Sequence, residues 1–203
     1  MNKNKSPHDT APSLILGSSS PFRKALLKRL GVAFITESPE IDETRRPGEA
    51  ADQLVQRLSI EKANAIGERH KNAFIIGSDQ VAVINNEILG KPGTIDKAEK
   101  QLQKARGRCI TFLTGVCLLN SRSGHYQVDI VPYSVYFREL TDEQIKVYIE
   151  KEQPLNCAGS FKSEGLGITL FKKMEGEDPT ALIGLPLIRL VSMLNNEGFD
   201  VLS

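Results

Sequence analysis

The chain of 203 residues is 40% hydrophobic, which is enough apolar material for one full-size domain or for two small lobes that share a cleft. Its 26 Lys and Arg residues nearly balance its 25 Asp and Glu residues, which argues against a strongly basic binder of nucleic acids or membrane surfaces and requires any anion site to be local. The three cysteines lack the paired spacing of a zinc site or a redox dithiol, so we expect reduced thiols in a cytoplasmic protein.

Residues 1–13 are polar and lack the apolar segment of a secretory signal, so we predict a disordered N-terminal tail there. Residues 14–203 are expected to form a single soluble domain, because no apolar run is long enough to cross a membrane. The apolar run at residues 14–16 predicts a first strand, and a serine-rich loop and a helix follow it directly.

The periodicity of apolar residues predicts an alternation of strands and helices along the rest of the chain. Further strands are predicted over residues 33–36, 73–77, 81–84, 88–89, 109–119 and 126–137, with another short strand after the glycine-rich loop of residues 159–167. Further helices are predicted over residues 48–71, 96–106, 141–151 and 186–195. This alternation predicts an α/β or α+β domain with a mixed sheet and flanking helices.

The serine-rich loop is a candidate anion site. Ser20 is a good N-cap, Pro21 suits the first helical position and Gly31 ends the helix. Free backbone amides and the helix dipole favour a phosphate at such a helix start, where Ser18 and Ser20 add hydroxyl groups and Arg23 adds a cation. From this segment alone, ordinary capping by Ser20 and a solvated Arg23 explain the pattern equally well.

A candidate catalytic carboxylate follows Gly77. We predict that Asp79 lies where a buried strand ends, a position that commonly faces a ligand in α/β sheets. Together with the nearby Lys91, it would be the minimum equipment for phosphoryl chemistry, in which a carboxylate binds a metal or activates water and a lysine neutralises phosphate. By composition alone, a turn-capping Asp79 and a solvated Lys91 are the simpler interpretation, and Glu43 and Lys62 would be surface charges.

Residues 157–165 combine small residues with Lys162 and Glu164, a composition typical of a flexible binding loop and also of a solvent-exposed connector. Cys157 has no obvious histidine partner, so we expect an inert thiol rather than a nucleophile.

Six short segments occur in the order and with gaps similar to those of the Maf family. They are Ser18-Ser-Ser-Pro-Phe-Arg23, Asp42-Glu43, Glu61-Lys62-Ala63, Gly77-Ser-Asp-Gln-Val81, Gly90-Lys91-Pro92 and Ala158-Gly-Ser-Phe-Lys-Ser-Glu-Gly165. The chain therefore resembles the Maf family over nearly its whole length from Leu14 onward. Maf proteins are nucleoside triphosphate pyrophosphatases with an elongated two-lobed fold and a central cleft. The resemblance therefore implies this activity and this fold.

The resemblance also implies roles for individual residues. Asp79 matches the catalytic proton acceptor, and Glu43 and Asp79 would hold a divalent cation, Mg²⁺ or Mn²⁺. The residues implied for phosphate binding are Ser18, Ser20, Arg23, Lys62 and Lys91. The implied reaction is attack of a metal-activated water on the α-phosphorus with pyrophosphate as the leaving group.

Within the family, the chain most resembles the 7-methyl-GTP pyrophosphatase branch. Phe22, Gln80 and Glu164 stand where the dTTP and UTP enzymes have arginine, threonine and glutamine. N7-methylguanine carries a positive charge, so Phe22 could stack on it and Glu164 could supply the opposite charge. The branch has tryptophan at the position of Phe22, so this chain departs from it there.

Other functions are compatible with parts of the sequence. A dTTP or UTP pyrophosphatase of the same family would share the reaction but not the specificity residues, and a nucleotide-binding regulator of septum formation would not need a positioned base such as Asp79. No basic stripe or base-stacking motif supports nucleic-acid binding, and no feature indicates a membrane partner. Because Maf proteins are often dimers, a homodimer is a candidate assembly.

Overall fold

A computed structural model describes residues 12–203. The predicted tail of residues 1–13 falls almost entirely outside this part, and Ser13 already begins the first strand. The strands are β1 (Ser13–Gly17), β2 (Ile35–Glu37), β3 (Ala73–Ile84), β4 (Glu87–Leu89), β5 (Cys109–Asn120), β6 (Tyr126–Phe137) and β7 (Phe171–Gly176). The α-helices are α1 (Pro21–Lys28), α2 (Ala51–Gly67), α3 (Ile95–Ala105), α4 (Asp142–Glu152) and α5 (Leu187–Asn196).

The strands of the described residues form a 7-stranded sheet in the order β2-β1-β3-β5-β6-β7, and β4 pairs with β3. β1 runs parallel to β2 and β3, whereas β3, β5, β6 and β7 pair in antiparallel fashion. The mixed sheet with flanking helices confirms the predicted fold class. In residues 12–203, no helix is both long and apolar enough to cross a membrane.

Two large apolar clusters lie toward opposite ends of the long strand β3. One cluster joins Ile76 of β3 to Leu26 of α1 and Leu190 of α5. The other joins Ile84, at the far end of β3, to Leu102 of α3 and Ile149 of α4. The chain therefore folds into two lobes that share the central strands, and the middle of β3 lies between their cores.

Helix α2 lies directly against the middle of the sheet because two glycines leave room for it. A Cβ atom on Gly77 would lie 2.1 Å from the Ser59 carbonyl oxygen, and one on Gly115 would lie 2.5 Å from the Val55 carbonyl oxygen. Any larger residue at either position would have to push the helix away from the sheet. This close approach brings the side chains of α2 within reach of β3.

The structure corrects the predicted position of Asp79. The sequence predicted that a strand ends before this residue, but Asp79 lies within β3 and pairs with Gly115 of β5. The strand continues because its pairing with β5 persists after its pairing with β1 has stopped at Gly77. Since β4 pairs with β3 only from Ala82 onward, the edge of β3 is open around Asp79.

Several local predictions are confirmed. Ser20 caps α1, with its Oγ accepting a hydrogen bond from the Arg23 amide at 3.4 Å. A capping box opens α4, in which the Thr141 amide donates to Gln144 Oε1 at 2.9 Å. Helix α2 begins later than predicted because Gly48 has a φ of +73°, a left-handed conformation that no α-helix accommodates.

Candidate active-site cleft

A cleft of about 790 Å³ lies at the open edge of β3. All ten residues that the sequence singled out line it, although they come from distant parts of the chain: Ser18, Ser20, Phe22, Arg23, Glu43, Lys62, Asp79, Gln80, Lys91 and Glu164. The fold thus brings the candidate phosphate, metal and specificity residues to one site. Their individual chemical roles remain predictions.

A buried lysine links the two candidate metal ligands. Lys62 of α2 is only 5% exposed, and its Nζ donates to Asp79 Oδ1 at 2.7 Å. The same Nζ lies 2.9 Å from Glu43 Oε1, so one ammonium group pairs with both carboxylates. Asp79 is 8% exposed, which makes this pairing necessary because an unpaired charge is costly to bury.

Cations around the cleft lower the pKa of Glu43. Partial burial raises the pKa of Glu43, but the hydrogen bond from Lys62 and the charges of Lys62, Lys91 and Arg23 outweigh it, so the pKa is lowered overall. Lys91 itself is exposed and forms no hydrogen bond or ion pair with the described residues. Its ammonium group is therefore available to a ligand in the cleft.

Ser59 fixes the backbone of Asp79 relative to α2. The Asp79 amide donates to Ser59 Oγ at 3.1 Å, and this hydroxyl donates to the Val55 carbonyl oxygen at 2.6 Å. Ser59 and Lys62 are three residues apart on the helix, so both face β3. Ser59 was not predicted from the sequence, since a serine within an apolar helix face carries no signal of a distant backbone partner.

The serine-rich loop and Arg23 form a connected group at the start of α1. Ser18 Oγ accepts a hydrogen bond from the Ser20 amide at 3.1 Å. Arg23 Nε donates to the Gly184 carbonyl oxygen at 2.7 Å, which fixes the guanidinium group at the wall of the cleft. Burial lowers the pKa of Arg23, the charges of Asp79 and Glu43 oppose this effect, and the side chain remains a cation at neutral pH.

Gln80 points away from α2, because successive side chains of a strand face opposite sides of the sheet. Its Nε2 donates to the Ala181 carbonyl oxygen at 2.7 Å and to Thr114 Oγ1 at 2.9 Å. Thr114 in turn donates to the Ala181 carbonyl at 2.9 Å, so the orientation of the Gln80 amide is fixed. Its oxygen makes no hydrogen bond within residues 12–203 and can accept one from a ligand.

A buried aspartate, Asp178, shapes the segment of residues 181–184, whose carbonyl oxygens accept hydrogen bonds from Gln80 and Arg23. It was not predicted from the sequence. Asp178 is 2% exposed, and its Oδ1 accepts from the Thr180 amide at 2.9 Å and from Thr180 Oγ1 at 2.6 Å. Its Oδ2 accepts from the Ile188 amide at 2.8 Å, at the start of α5. The Asp-Pro-Thr sequence ahead of an apolar helix is the turn signal that could have identified it.

Phe22 is half-buried, and Glu164 is exposed and accepts a hydrogen bond from Ser163 Oγ at 3.2 Å.

Cys157 also lines the cleft, and burial raises its pKa, which disfavours the reactive thiolate. The described part of the chain contains no cluster of three or more His, Cys, Asp or Glu side chains that could hold a metal ion.

Comparison with known proteins assigns the chain to one family. A family model described as Maf-like protein matches residues 13–197. The chain belongs to the Maf family. The matched region extends from β1 through α5, so every candidate site residue of this Maf protein lies within it.

Curated Maf relatives cover almost all of the chain. A 7-methyl-GTP pyrophosphatase of Pseudomonas aeruginosa is 55% identical over 190 residues, which are 94% of this chain and 99% of that protein. A protein of the same name from Alcanivorax borkumensis is 56% identical over 193 residues, 95% of this chain and 98% of that protein. One from Pseudomonas syringae pv. syringae is 56% identical over 190 residues, 94% of this chain and 99% of that protein.

Proposed function

We propose that this Maf protein hydrolyses 7-methyl-GTP to 7-methyl-GMP and pyrophosphate. The observation that carries the proposal is the cleft itself, in which the buried Lys62 joins Glu43 and Asp79 and the candidate base-binding residues line the same space. The names of relatives that are at least 55% identical over 94% or more of the chain support the same substrate.

The charges of the cleft suit a triphosphate. The cations Arg23, Lys62 and Lys91 outnumber the carboxylates Glu43 and Asp79, so the group is net positive before a ligand enters. A triphosphate brings several negative charges, and the hydroxyl groups of Ser18 and Ser20 at the start of α1 add hydrogen-bond donors. These residues would hold the phosphates and stabilise the charge that develops on the leaving pyrophosphate.

Asp79 is the proposed proton acceptor. Lys62 bonds to Oδ1 only, and Oδ2 makes no hydrogen bond in the described part of the chain, so it can take a proton from an attacking water. The water oxygen would bond to the α-phosphorus as the bond from that phosphorus to the bridging oxygen breaks. Pyrophosphate then leaves with the electron pair of that bond.

Glu43 and Asp79 fit a divalent cation. Their oxygens lie close enough to share the single Lys62 ammonium group at 2.9 and 2.7 Å, so Glu43 and Asp79 are the residues that would hold the cation. Mg²⁺ is usually held by one or two carboxylates together with substrate phosphates, which agrees with a site of two protein ligands. When bound, the cation supplies Lewis-acid activation and charge neutralisation.

The base would lie against Phe22, Gln80 and Glu164. N7-methylguanine carries a delocalised positive charge that favours an aromatic face and a nearby carboxylate. The free oxygen of Gln80 and the carboxylate of Glu164 accept hydrogen bonds, and the guanine edge offers N–H donors. Gln80 cannot present its N–H groups to the base, because they already donate to the carbonyl oxygen of Ala181.

The test is pyrophosphate release from 7-methyl-GTP, GTP, dTTP and UTP with Mg²⁺ or Mn²⁺. We expect a strong preference for 7-methyl-GTP and loss of turnover in Asp79→Asn, which keeps the size of the side chain but removes the base. A preference for dTTP or UTP would retain the reaction and refute the specificity assignment. No turnover of any triphosphate would instead favour a nucleotide-binding regulator.

We also propose a cytoplasmic location and no nucleic-acid or membrane partner, on the balanced charge and the reduced cysteines. The homodimer is proposed on the family resemblance alone and can be tested by light scattering.

A further inference from the structure

Glu152, the last residue of α4, contacts the specificity loop of residues 162–166 on both sides of Glu164. Its Oε1 lies 3.2 Å from Lys162 Nζ, and its Oε2 accepts from the Leu166 amide at 2.8 Å. Lys162 Nζ also donates to the backbone oxygen of Glu152 at 2.9 Å. A single side chain therefore holds the loop two residues before and two residues after Glu164.

The specificity loop is shaped to fit this carboxylate. A Cβ atom on Gly165 would lie 2.8 Å from Glu152 Oε2 and 3.0 Å from Glu152 Oε1, so the loop approaches the carboxylate closely because this residue is glycine. Glu152 is mostly buried, with 18% of its side chain exposed. The amide of Leu166 and the charge of Lys162 lower the pKa of Glu152 despite the opposing effect of burial, so it stays ionised at neutral pH.

Glu164, by contrast, has only its neighbour Ser163 as a hydrogen-bond partner among the described residues. Nothing in its own contacts fixes its position relative to the cleft. Contacts elsewhere in the loop must therefore offset the conformational entropy that is lost when this exposed loop is ordered. Glu152 makes two of these contacts.

We infer that Glu152 is a positioning residue for substrate specificity: by holding Lys162 and Leu166, it places the carboxylate of Glu164 at the base end of the cleft. The inference rests on the proposed function, in which Glu164 reads the methylated base. Glu152 is not among the residues that line the cleft, so in this inference it acts only through the loop.

The first experiment needs no turnover. Hydrogen exchange of the peptide covering residues 162–168 is compared in the wild type, Glu152→Ala and Glu152→Gln, with Glu150→Ala as the control. Glu150 is an exposed residue of the same helix that forms no ion pair within residues 12–203. We expect about tenfold faster exchange at Leu166 in Glu152→Ala, and a smaller rise in Glu152→Gln, whose amide oxygen can still accept from Leu166. Unchanged exchange in Glu152→Ala would overturn the inference.

The second experiment measures kcat and KM for 7-methyl-GTP and GTP in Glu152→Ala, Glu164→Gln and the double variant. We expect Glu152→Ala to lower the preference for 7-methyl-GTP about threefold to tenfold, mainly through KM for 7-methyl-GTP. The double variant should lose no more of this preference than Glu164→Gln alone, because both changes act on the same contact with the base. Equal losses for both substrates, or additive losses in the double variant, would overturn the inference by indicating a purely structural role. Failure of the proposed function would appear separately, as absence of 7-methyl-GTP hydrolysis by the wild type.

Discussion

At the scale of single residues, the proposed function gives the aromatic ring of Phe22, which lines the cleft, the role of distinguishing a methylated from an unmethylated base. A cation over an aromatic face contributes about 0.5–2 kcal/mol, and tryptophan is a better partner than phenylalanine. GTP has a neutral base and would gain only the stacking. In the proposed function, Phe22 would therefore contribute to selectivity in addition to affinity.

We predict that Phe22→Ala lowers the ratio of kcat/KM for 7-methyl-GTP to that for GTP by about 2- to 30-fold, and that Phe22→Trp raises it. Steady-state kinetics with both substrates checks this, and Phe22→Leu serves as an apolar control without a ring. Equal ratios in Phe22→Leu and the wild type would mean that no cation-π contact is made.

Single residues also show where sequence reasoning reaches its limit. The residues of the cleft could be identified because six short segments resemble those of one family. The burial of Lys62 could not be predicted, because the pattern of α2 does not reveal that Asp79 lies within 2.7 Å of its ammonium group. The role of Ser59 was missed for the same reason, because its partner, the Asp79 amide, is brought near by tertiary packing. Asp178 differs, since two of its hydrogen bonds come from Thr180, only two residues away, and the local turn signal was available.

At the scale of elements, the spacing between α2 and β3 depends on Gly77. A Cβ atom there would approach the Ser59 carbonyl oxygen to 2.1 Å and the Ala63 nitrogen to 2.8 Å, and backbone atoms cannot rotate away. Overpacking of this kind costs about 1–3 kcal/mol or more.

We predict that Gly77→Ala lowers the free energy of unfolding by at least about 2 kcal/mol, measured by urea denaturation. Gly90→Ala is the matched control, since a Cβ atom there meets nothing within 4 Å and Gly90 is not among the glycines with positive φ. A Gly77→Ala variant as stable as the control would show that α2 moves away from the sheet without penalty.

Most elements could be predicted from apolar periodicity and capping residues, as α1, α3, β5, β6 and α4 show. The long strand β3 could not, because Gly77, Ser78, Asp79 and Gln80 interrupt its apolar pattern. Pairing with β5 keeps these residues extended, and that pairing is not visible in the local sequence. Asp79 and Gln80, the last two residues of this polar interruption, line the cleft.

At the scale of the whole molecule, an ion-pair network joins the loop that carries Glu43 to α2. Arg57 of α2 binds Glu49 through two contacts, Nε to Oε1 at 2.6 Å and Nη2 to Oε2 at 2.9 Å. The Arg46 amide donates to Glu49 Oε2 at 3.0 Å, and Arg57 also pairs with Glu61 at 2.9 Å. These contacts, foremost the hydrogen bond from Arg57, lower the pKa of Glu49 to about 2 from its usual value of 4.5.

This lowered pKa couples global stability to pH. Because the folded-state pKa lies below the unfolded value, Glu49 contributes its full stabilisation above about pH 4.5 and loses it as the pH falls toward 2. We predict that the difference in unfolding free energy between the wild type and Glu49→Gln is constant from pH 7 to pH 5 and shrinks between pH 4.5 and pH 3. Urea denaturation at each pH measures this difference, with Glu150→Gln as the control. If the difference in unfolding free energy does not change across this range, Glu49 has the same pKa in the folded and unfolded chain. The network with Arg57 would then not hold the loop.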